Sequence, residues 1–360
     1  MNIEVIVEKY QKRVAERENR LREFAAGKRP FLVIQRPNNS QVWNNCSSVE
    51  LIMANNLALF ADKVNLDWTD ELPYLEPWAG VGVYASAFGC EYLWRENEAP
   101  ATHYRYLSLP EAEGIAYPDW QQNPIMQMVL DTIDLMNERT GGRLPIALTD
   151  TQSSFDTATL IVDSTEFITG CYEYPETSKR LLGMITDLII EFSREQLRRI
   201  GPGNAAKPGH IMVSAPFLSG ISVSDDNLSF CSPDFNAEFS MPYNHRLAEA
   251  FDGVYIHSCG VWAHTMAILE RTRGVTGIDC ATSLDCDPSP NLPAAIRRAM
   301  CGKGIPVKIR VGSDVKSTLA QLEELVSPDI QLIIEIGYDP VNAETNYKQV
   351  VEKLNELYRI

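Results

Sequence analysis

The feature that most constrains the fold of this chain is an alternation of short apolar strands and amphipathic helices through its second half. Strands are predicted at 253–256, 274–279, 305–311 and 330–336, and helices at 263–273, 293–300, 315–326 and 343–358. Strands that are joined by helices pair in parallel, since each connection has to cross one face of the sheet. The alternation therefore predicts a parallel α/β sheet.

The first half adds segments of the same kind. Further strands are predicted at 30–35, 63–67, 144–148 and 220–226, and helices at 48–60, 123–139, 155–168, 175–200 and 233–251. About eight strands, with no G-x-G-x-x-G after the first, favour a closed (β/α)8 barrel of the TIM type over a doubly wound sheet. We expect residues 1–29 to form an N-terminal helical extension and residues 30–360 to form the barrel.

Composition excludes several classes of partner. Among the 360 residues no apolar run approaches the roughly 20 residues of a membrane span, and the charged N-terminus lacks a signal-peptide apolar region. A net charge of −16 argues against nucleic acid, because phosphate binding requires a basic surface. Eight scattered cysteines in such a chain are typical of free thiols or metal ligands. We expect a cytoplasmic protein that binds neither membrane nor nucleic acid.

The segment FDGVYIHSCG, residues 251–260, holds the clearest chemical signal. His257 and Cys259 follow a predicted buried strand, and side chains two apart on an extended segment point the same way. An imidazole beside a thiol is half of a zinc site, and a catalytic zinc needs a third protein ligand. Glu335 and Cys280 are the available donors at other strand ends. The alternative is a hydrogen-bonded core histidine beside an inert buried thiol.

Chemistry in a barrel sits at the carboxyl ends of the strands, so polar residues there become site candidates. The set comprises Asp67, Asp150, Gln152, Asp225, Asp226, His257, Cys259, Asp279, Arg310 and Glu335. One residue of the pair Asp225 and Asp226 is expected to cap the next helix and the other to contact substrate, with the order left open. Arg310 would be costly inside a barrel unless it faces an anion or a carboxylate.

The segment 68–80 is aromatic, acidic and interrupted by two prolines, so it cannot stay regular for long. It is predicted either to form a pocket wall, with Tyr74 and Trp78 against the substrate, or to be a packed surface loop. His103, His210 and His245 carry no local signal of function.

The HSCG segment, the Ser-Asp-Asp segment before it and the order of elements from Leu144 onward resemble the uroporphyrinogen decarboxylase superfamily. That resemblance implies a TIM-type barrel. The superfamily includes decarboxylases and corrinoid-dependent methyltransferases. In the methyltransferases a His-x-Cys and a distant cysteine bind zinc, and a corrinoid protein presents the methyl group. His257 and Cys259 match the first two ligands, whereas Glu335-Ile336-Gly337-Tyr338 stands where the late cysteine would be.

The resemblance leaves two enzymatic hypotheses and one binding hypothesis. Decarboxylation of a polycarboxylate needs several arginines, and the matching segment 34–39 has only Arg36. Methyl transfer is therefore favoured, with zinc on His257, Cys259 and Glu335, a cobamide on a corrinoid-binding partner protein, and a small-molecule methyl donor or acceptor. Asp150, Asp225 and Asp226 would be catalytic and would orient that molecule. The residues expected to bind it are Asp67, Tyr74, Trp78, Gln152, Asp279 and Arg310. A barrel that only binds small molecules is the third reading. The oligomeric state stays open, with a homodimer among the options.

Overall fold

The architecture is taken from a computed structural model that describes residues 2–36, 41–271 and 273–359. Its strands are β1 (Phe31–Gln35), β2 (Glu91–Leu93), β3 (Ala101–His103), β4 (Ile221–Ser224), β5 (Val254–His257), β6 (Val275–Ala281), β7 (Val307–Arg310) and β8 (Leu332–Ile336). Six of them form one parallel sheet in the order β1-β8-β7-β6-β5-β4, while β2 and β3 form an antiparallel pair. The predicted parallel α/β class is confirmed.

The helices surround this sheet. They are α1 (Ile3–Ala25), α2 (Gln41–Asn44), α3 (Val49–Asn65), α4 (Val83–Ala87), α5 (Pro124–Thr140), α6 (Ser154–Ile161), α7 (Ser164–Glu173), α8 (Pro175–Ile200), α9 (Pro233–Phe239), α10 (Met241–Phe251), α11 (Ala263–Met266), α12 (Pro293–Met300), α13 (Val315–Leu325) and α14 (Ala343–Tyr358). Short 3₁₀ turns occupy Pro110–Ala112, Trp120–Gln122, Asp226–Ser229 and Leu269–Arg271. Within the described ranges, no helix combines the length and the apolar character that a membrane crossing requires.

The sheet differs from the predicted eight-stranded closed barrel. The predicted strand at 63–67 is wrong, because α3 continues to Asn65. The segment predicted at 144–148 makes only isolated parallel bridges, from Ile146 to Leu75 on one side and to Ala205 on the other. Proline has no N–H to donate to a ladder, and Pro73 and Pro145 adjoin these bridges. Over the described residues, six regular strands therefore form the sheet and do not close it.

The register of the parallel strands brings the polar residues together. His257 at the end of β5 pairs with Ser224 on β4 and with Asp279 on β6. Asp279 pairs in turn with Lys308 on β7. These strands are buried almost throughout, as parallel strands covered on both faces are. The buried charged side chains of β6 and β7 must therefore neutralise one another.

The N-terminal helix α1 is tied to the loop that follows α3. The guanidinium of Arg17 is fully buried and donates hydrogen bonds to the carbonyl oxygens of Glu71, at 2.5 Å, and Leu66. Arg20 forms an ion pair with Asp70 at 2.9 Å. Asp70 in turn accepts the backbone N–H of Val33 on β1 at 2.8 Å. The extension is thus connected to the first strand of the sheet through buried polar contacts.

Candidate metal centre and its cavity

His257 and Cys259 lie side by side at the carboxyl end of β5. The distance from His257 Nε2 to Cys259 Sγ is 3.4 Å. Asp226, in the turn after β4, places Oδ1 3.6 Å from the same Nε2 and accepts the backbone N–H of Cys259 at 2.7 Å. One ligand atom from each residue lies within 4.8 Å of the others. Nitrogen, sulfur and carboxylate oxygen are all donors that zinc accepts, so the group has the composition of a metal centre.

The two neighbouring aspartates after β4 have different surroundings. Asp226 lines the cavity, whereas Asp225 is fully buried and accepts hydrogen bonds from Ser240 at 2.5 Å and Asn244 at 2.8 Å. Asp156 fixes the turn by accepting the backbone N–H of Asp226 at 2.6 Å. Asp225 therefore anchors the start of α10, and the catalytic role predicted for it has no support because the side chain does not reach the cavity.

Asp279 orients His257 from behind. Its Oδ2 lies 2.6 Å from Nδ1 of His257, which leaves Nε2 directed toward Cys259 and Asp226. Asp279 also pairs with Lys308 at 2.7 Å and with Arg310 at 3.1 Å. Burial raises the pKa of this carboxyl, but the two cations and the imidazole more than offset the effect and hold it well below its usual range. Asp279 has no exposed surface, so the structure makes it a positioning residue rather than the predicted substrate contact.

Glu335 is engaged elsewhere and does not join the group around His257. Its carboxylate pairs with Lys308 at 2.5 Å and Arg36 at 2.9 Å. Burial raises the pKa of Glu335, yet Lys308 and Arg36 more than offset this and lower it to about 2. Cys280, the other donor considered, is fully buried in the core. The candidate for the third ligand is therefore Asp226, which approaches from the neighbouring strand β4.

A cavity of about 620 Å³ opens beside this centre, and both Asp226 and His257 line it. The other predicted residues that line it are Tyr74, Trp78, Asp150, Gln152, Arg310 and Glu335. The loop 68–80 therefore forms part of the cavity wall, which was one of the two predictions for it. Asp67 is exposed in the turn after α3 and does not line the cavity, because the strand expected to carry it is helix and turn. The described residues leave out 37–40, so Pro37, Asn38 and Asn39 of the decarboxylase comparison lie outside them.

Sequence reasoning missed a second histidine in the cavity, His210. Its Nδ1 lies 2.6 Å from Glu76 Oε1, and its Nε2 lies 3.7 Å from Asp150 Oδ1. Burial lowers the pKa of His210, but Asp150 and Glu76 more than offset this and raise it to about 9. The glycine before His210 marks a loop, yet no spacing in the chain connects this loop to a glutamate 134 residues away.

The protonation of Cys259 bears on metal binding. Burial, and then the nearby carboxylate of Asp226, raise the pKa of this thiol to about 12. A thiol with such a pKa keeps its proton at neutral pH unless a cation compensates the thiolate charge. A coordinated metal ion supplies that charge and deprotonates the thiol. The donor set, the outer carboxylate of Asp279 and the adjoining cavity thus fit a zinc ion.

Parallel strands, crossing helices and a polar site at their carboxyl ends define an α/β protein of the kind seen in TIM-type enzymes. A family model described as uroporphyrinogen decarboxylase (URO-D) matches residues 79–201. The resemblance to that superfamily is thereby confirmed over a segment that runs to the end of α8 and does not include β5.

Among solved structures, the chain is similar to a methyltransferase from Methanosarcina mazei, with a TM-score of 0.62. The two chains share 18% identity, and the match covers 94% of this chain and 98% of the other. At this identity the likeness shows a common fold. No curated protein matches the chain.

Proposed function

We propose that this protein is a methyltransferase that moves a methyl group between a corrinoid-binding protein and a small molecule, with the assistance of zinc. The observation that carries the proposal is the convergence of Asp226, His257 and Cys259 within 4.8 Å beside a cavity. The family match and the methyltransferase among similar structures support it. The cobamide would be bound by the partner protein.

Zinc would be held by Asp226 Oδ1, His257 Nε2 and Cys259 Sγ. Three protein ligands with one open position are typical of a catalytic zinc, and ligating histidines commonly donate their other N–H to a carboxylate. Asp279 meets that second requirement at 2.6 Å. When bound, zinc would supply Lewis acidity that lowers the pKa of an acceptor or polarises a donor.

The protein's own residues would bind and orient the small molecule. Arg310 lines the cavity, and its charge is only partly balanced, since Asp279 is shared with Lys308. It would attract a negatively charged part of the substrate to the side near Cys259. Tyr74 and Trp78 would pack against the apolar part, while Asp150 and Gln152 would orient its polar atoms.

Exposed apolar side chains around the strand ends support a docking partner. Phe230, Leu284, Leu292 and Val341 stand in the loops that follow β4, β6 and β8, and all four are largely exposed. The loops that follow parallel strands lie at the same edge of a sheet, and exposed apolar side chains that form one patch there would be typical of an interaction surface. A corrinoid-binding protein that docks there would face the cavity mouth. A homodimer and a cytoplasmic location stay predictions from the sequence.

The decarboxylase hypothesis loses support from the contacts of Arg36. That guanidinium donates to Glu335 at 2.9 Å, to the Val311 carbonyl at 3.0 Å and to Cys286 Sγ at 2.9 Å. A polycarboxylate substrate would have to compete with these partners for the one arginine of the segment. Zinc-free protein that binds a porphyrinogen would reinstate the hypothesis.

Metal analysis of protein purified without chelator tests the proposal. We expect near-stoichiometric zinc, and at least tenfold less in His257→Ala, Cys259→Ala and Asp226→Ala, because each removes a ligand. Cys301→Ser is the matched control, since this exposed thiol lies outside the centre and should leave zinc content unchanged.

The reaction itself is tested with free cobalamin as the probe, through the visible absorbance change that accompanies methylation or demethylation of its cobalt. Zinc-loaded wild-type protein should accelerate the change with a suitable donor or acceptor, and the ligand variants should not. Wild-type protein that is free of zinc, or zinc binding that survives all three substitutions, would refute the proposal. If such protein bound neither corrinoid nor tetrapyrrole, the binding-only reading would stand.

A further inference from the structure

The cavity contains a second histidine held in the same way as His257. His210 places Nδ1 2.6 Å from Glu76 Oε1, as His257 places Nδ1 against Asp279. A carboxylate at Nδ1 fixes the ring orientation and keeps the proton on that nitrogen. Unlike Nε2 of His257, Nε2 of His210 is not within the group that could hold a metal. Both histidines line one cavity, but among the described residues only His257 belongs to a group that could hold a metal ion.

Nε2 of His210 makes no direct hydrogen bond to the neighbouring Asp150. Its separation of 3.7 Å from Asp150 Oδ1 is longer than an N–H···O hydrogen bond. Asp150 cannot easily move closer, because it accepts Ser224 Oγ at 2.8 Å on one oxygen and Gln152 Nε2 at 2.8 Å on the other. Between the two carboxylates the imidazole is protonated, so Nε2 also carries a proton, and among the described residues it has no direct hydrogen-bond acceptor. Such a donor in the lining of the cavity is suited to a polar atom of a bound molecule.

The surroundings of His210 are aromatic. The ring of Trp43 packs edge-on against His210 at 5.5 Å and against Trp78 at 5.1 Å, and all three residues line the cavity. The backbone beside His210 is held in an unfavourable conformation, since Ile211 has a φ of 50°, which a β-branched residue rarely adopts. Strain of this kind persists only where the surroundings enforce it, and it concentrates at functional sites.

We propose that His210 Nε2 donates a hydrogen bond to an uncharged oxygen of the small molecule, whose apolar or aromatic part lies against Trp43 and Trp78. The inference rests on the proposed function in so far as the same cavity holds the substrate. It assigns a substrate class: a neutral, oxygen-bearing and largely apolar group at this end of the cavity.

The charged groups around His210 favour a neutral ligand over an anion or a cation. An anion here would meet the carboxylates of Glu76 and Asp150, both close to the imidazole, and like charges at such distances repel strongly in a buried site. A cationic ammonium group has no acceptor for the proton on Nε2 and would place its own N–H groups against that N–H. A neutral oxygen accepts the proton-bearing Nε2 without either penalty.

The test uses three aromatic probes that share a phenyl ring and differ in charge: phenol, benzoate and benzylammonium. The phenol affinity of His210→Phe is measured by ligand-observed NMR, and binding to the other proteins is followed through the imidazole resonances of His210, which are assigned by their loss in His210→Phe. We expect phenol to shift them saturably and to bind at least roughly tenfold more tightly than the charged probes, the scale of a hydrogen bond to a charged group. Phenol affinity should fall by a similar factor in His210→Phe, while His245→Gln, a histidine outside the cavity, should leave it unchanged.

Glu76→Gln keeps the inference testable if His210→Phe does not fold. Removal of one carboxylate should bring benzoate affinity up by roughly tenfold relative to phenol. Benzoate or benzylammonium that binds more tightly than phenol at His210 in the wild type, an unchanged phenol affinity in His210→Phe, or an unchanged ratio of benzoate to phenol affinity in Glu76→Gln would each overturn the inference.

Zinc content is measured on the same samples and separates this inference from the proposed function. We expect it to be unchanged in His210→Phe, because His210 is not among the candidate ligands. Intact zinc and methyl transfer with no phenol preference would remove the substrate assignment alone. A phenol preference in protein that binds no zinc would remove the proposed methyltransferase and leave the subsite.

Discussion

Asp279→Asn should weaken zinc binding although it removes no ligand. Oδ1 of Asp279 accepts from Lys308, and Oδ2 faces Nδ1 of His257. In the variant the amide oxygen should stay with Lys308, because an ammonium group can only donate. The NH₂ group then faces both His257 and Arg310, and it donates to Nδ1 because the guanidinium has no acceptor. The imidazole proton moves to Nε2, and that nitrogen loses the lone pair that a metal needs.

The size of the effect follows from these contacts. Loss of an outer partner of a ligating histidine typically costs about 10–100-fold in metal affinity, or about 1.4–2.8 kcal/mol. Removing one member of a buried ion pair also costs about 3–5 kcal/mol of stability. We expect a loss of stability at the lower end of this range, since Lys308 keeps its ion pair with Glu335 at 2.5 Å. The zinc dissociation constant is measured by competition with a chromogenic chelator, well below the melting temperature of the variant.

Asp285→Asn is the matched control. It removes a carboxylate from the same cavity but from a residue outside the group that could hold the metal. Its zinc affinity should stay within about twofold of the wild type, the scale of a screened surface charge. Equal zinc affinity in Asp279→Asn and the wild type, or an equal loss in the Asp285 variant, would refute the role assigned to Asp279.

Three further predictions concern the fold around the site. Glu335 has a pKa of about 2 in the folded protein against an ordinary 4.5. Its ionised form therefore contributes about 3 kcal/mol to the free energy of unfolding above pH 4.5, and this contribution is lost as the pH falls toward 2. In urea titrations between pH 4.5 and 2, the free energy of unfolding of Glu335→Gln should fall less steeply than that of the wild type. Gly277→Ala should cost roughly 1–3 kcal/mol of unfolding free energy, because an added Cβ would lie 2.2 Å from the Tyr255 ring; an unchanged urea midpoint would contradict this packing. Cys301 is the one exposed thiol among the eight, since Cys259 and Cys286 are half-buried and the other five are buried. A disulfide reagent should therefore modify one thiol much faster than the rest, and this fast phase should be absent in Cys301→Ser; a fast phase that persists in that variant would contradict the assignment.

Much of the fold follows from local patterns. The last helix begins at Ala343 and ends at Tyr358, as its apolar spacing predicts. Strands β5 to β8 lie at their predicted positions, because short apolar runs between glycines or prolines have few alternatives. The predicted helix at 233–251 is divided at Ser240, since Pro242 has no N–H for the preceding turn and starts a new helix, α10, instead.

The candidate site, too, was predictable from local patterns only in part. His257 and Cys259 belong to one short segment, so the two-residue period of a strand suffices to predict their proximity. The choice of Asp226 over Asp225, and over Glu335, depends on how β4 lies beside β5, and no local pattern encodes that register. The pairing of Glu76 with His210 depends on two loops that meet only when the chain closes around the cavity.

The sequence by itself therefore determined the order of strands and helices from β5 to the last helix, and the donor pair at the end of β5, because hydrophobic periodicity and neighbouring residues act over a few positions. The tertiary structure alone decided which carboxylate joins that pair, which second histidine lines the same cavity, and how Lys308 is neutralised. Those outcomes are set by contacts between residues far apart in the chain, where burial makes every charge depend on partners from other strands.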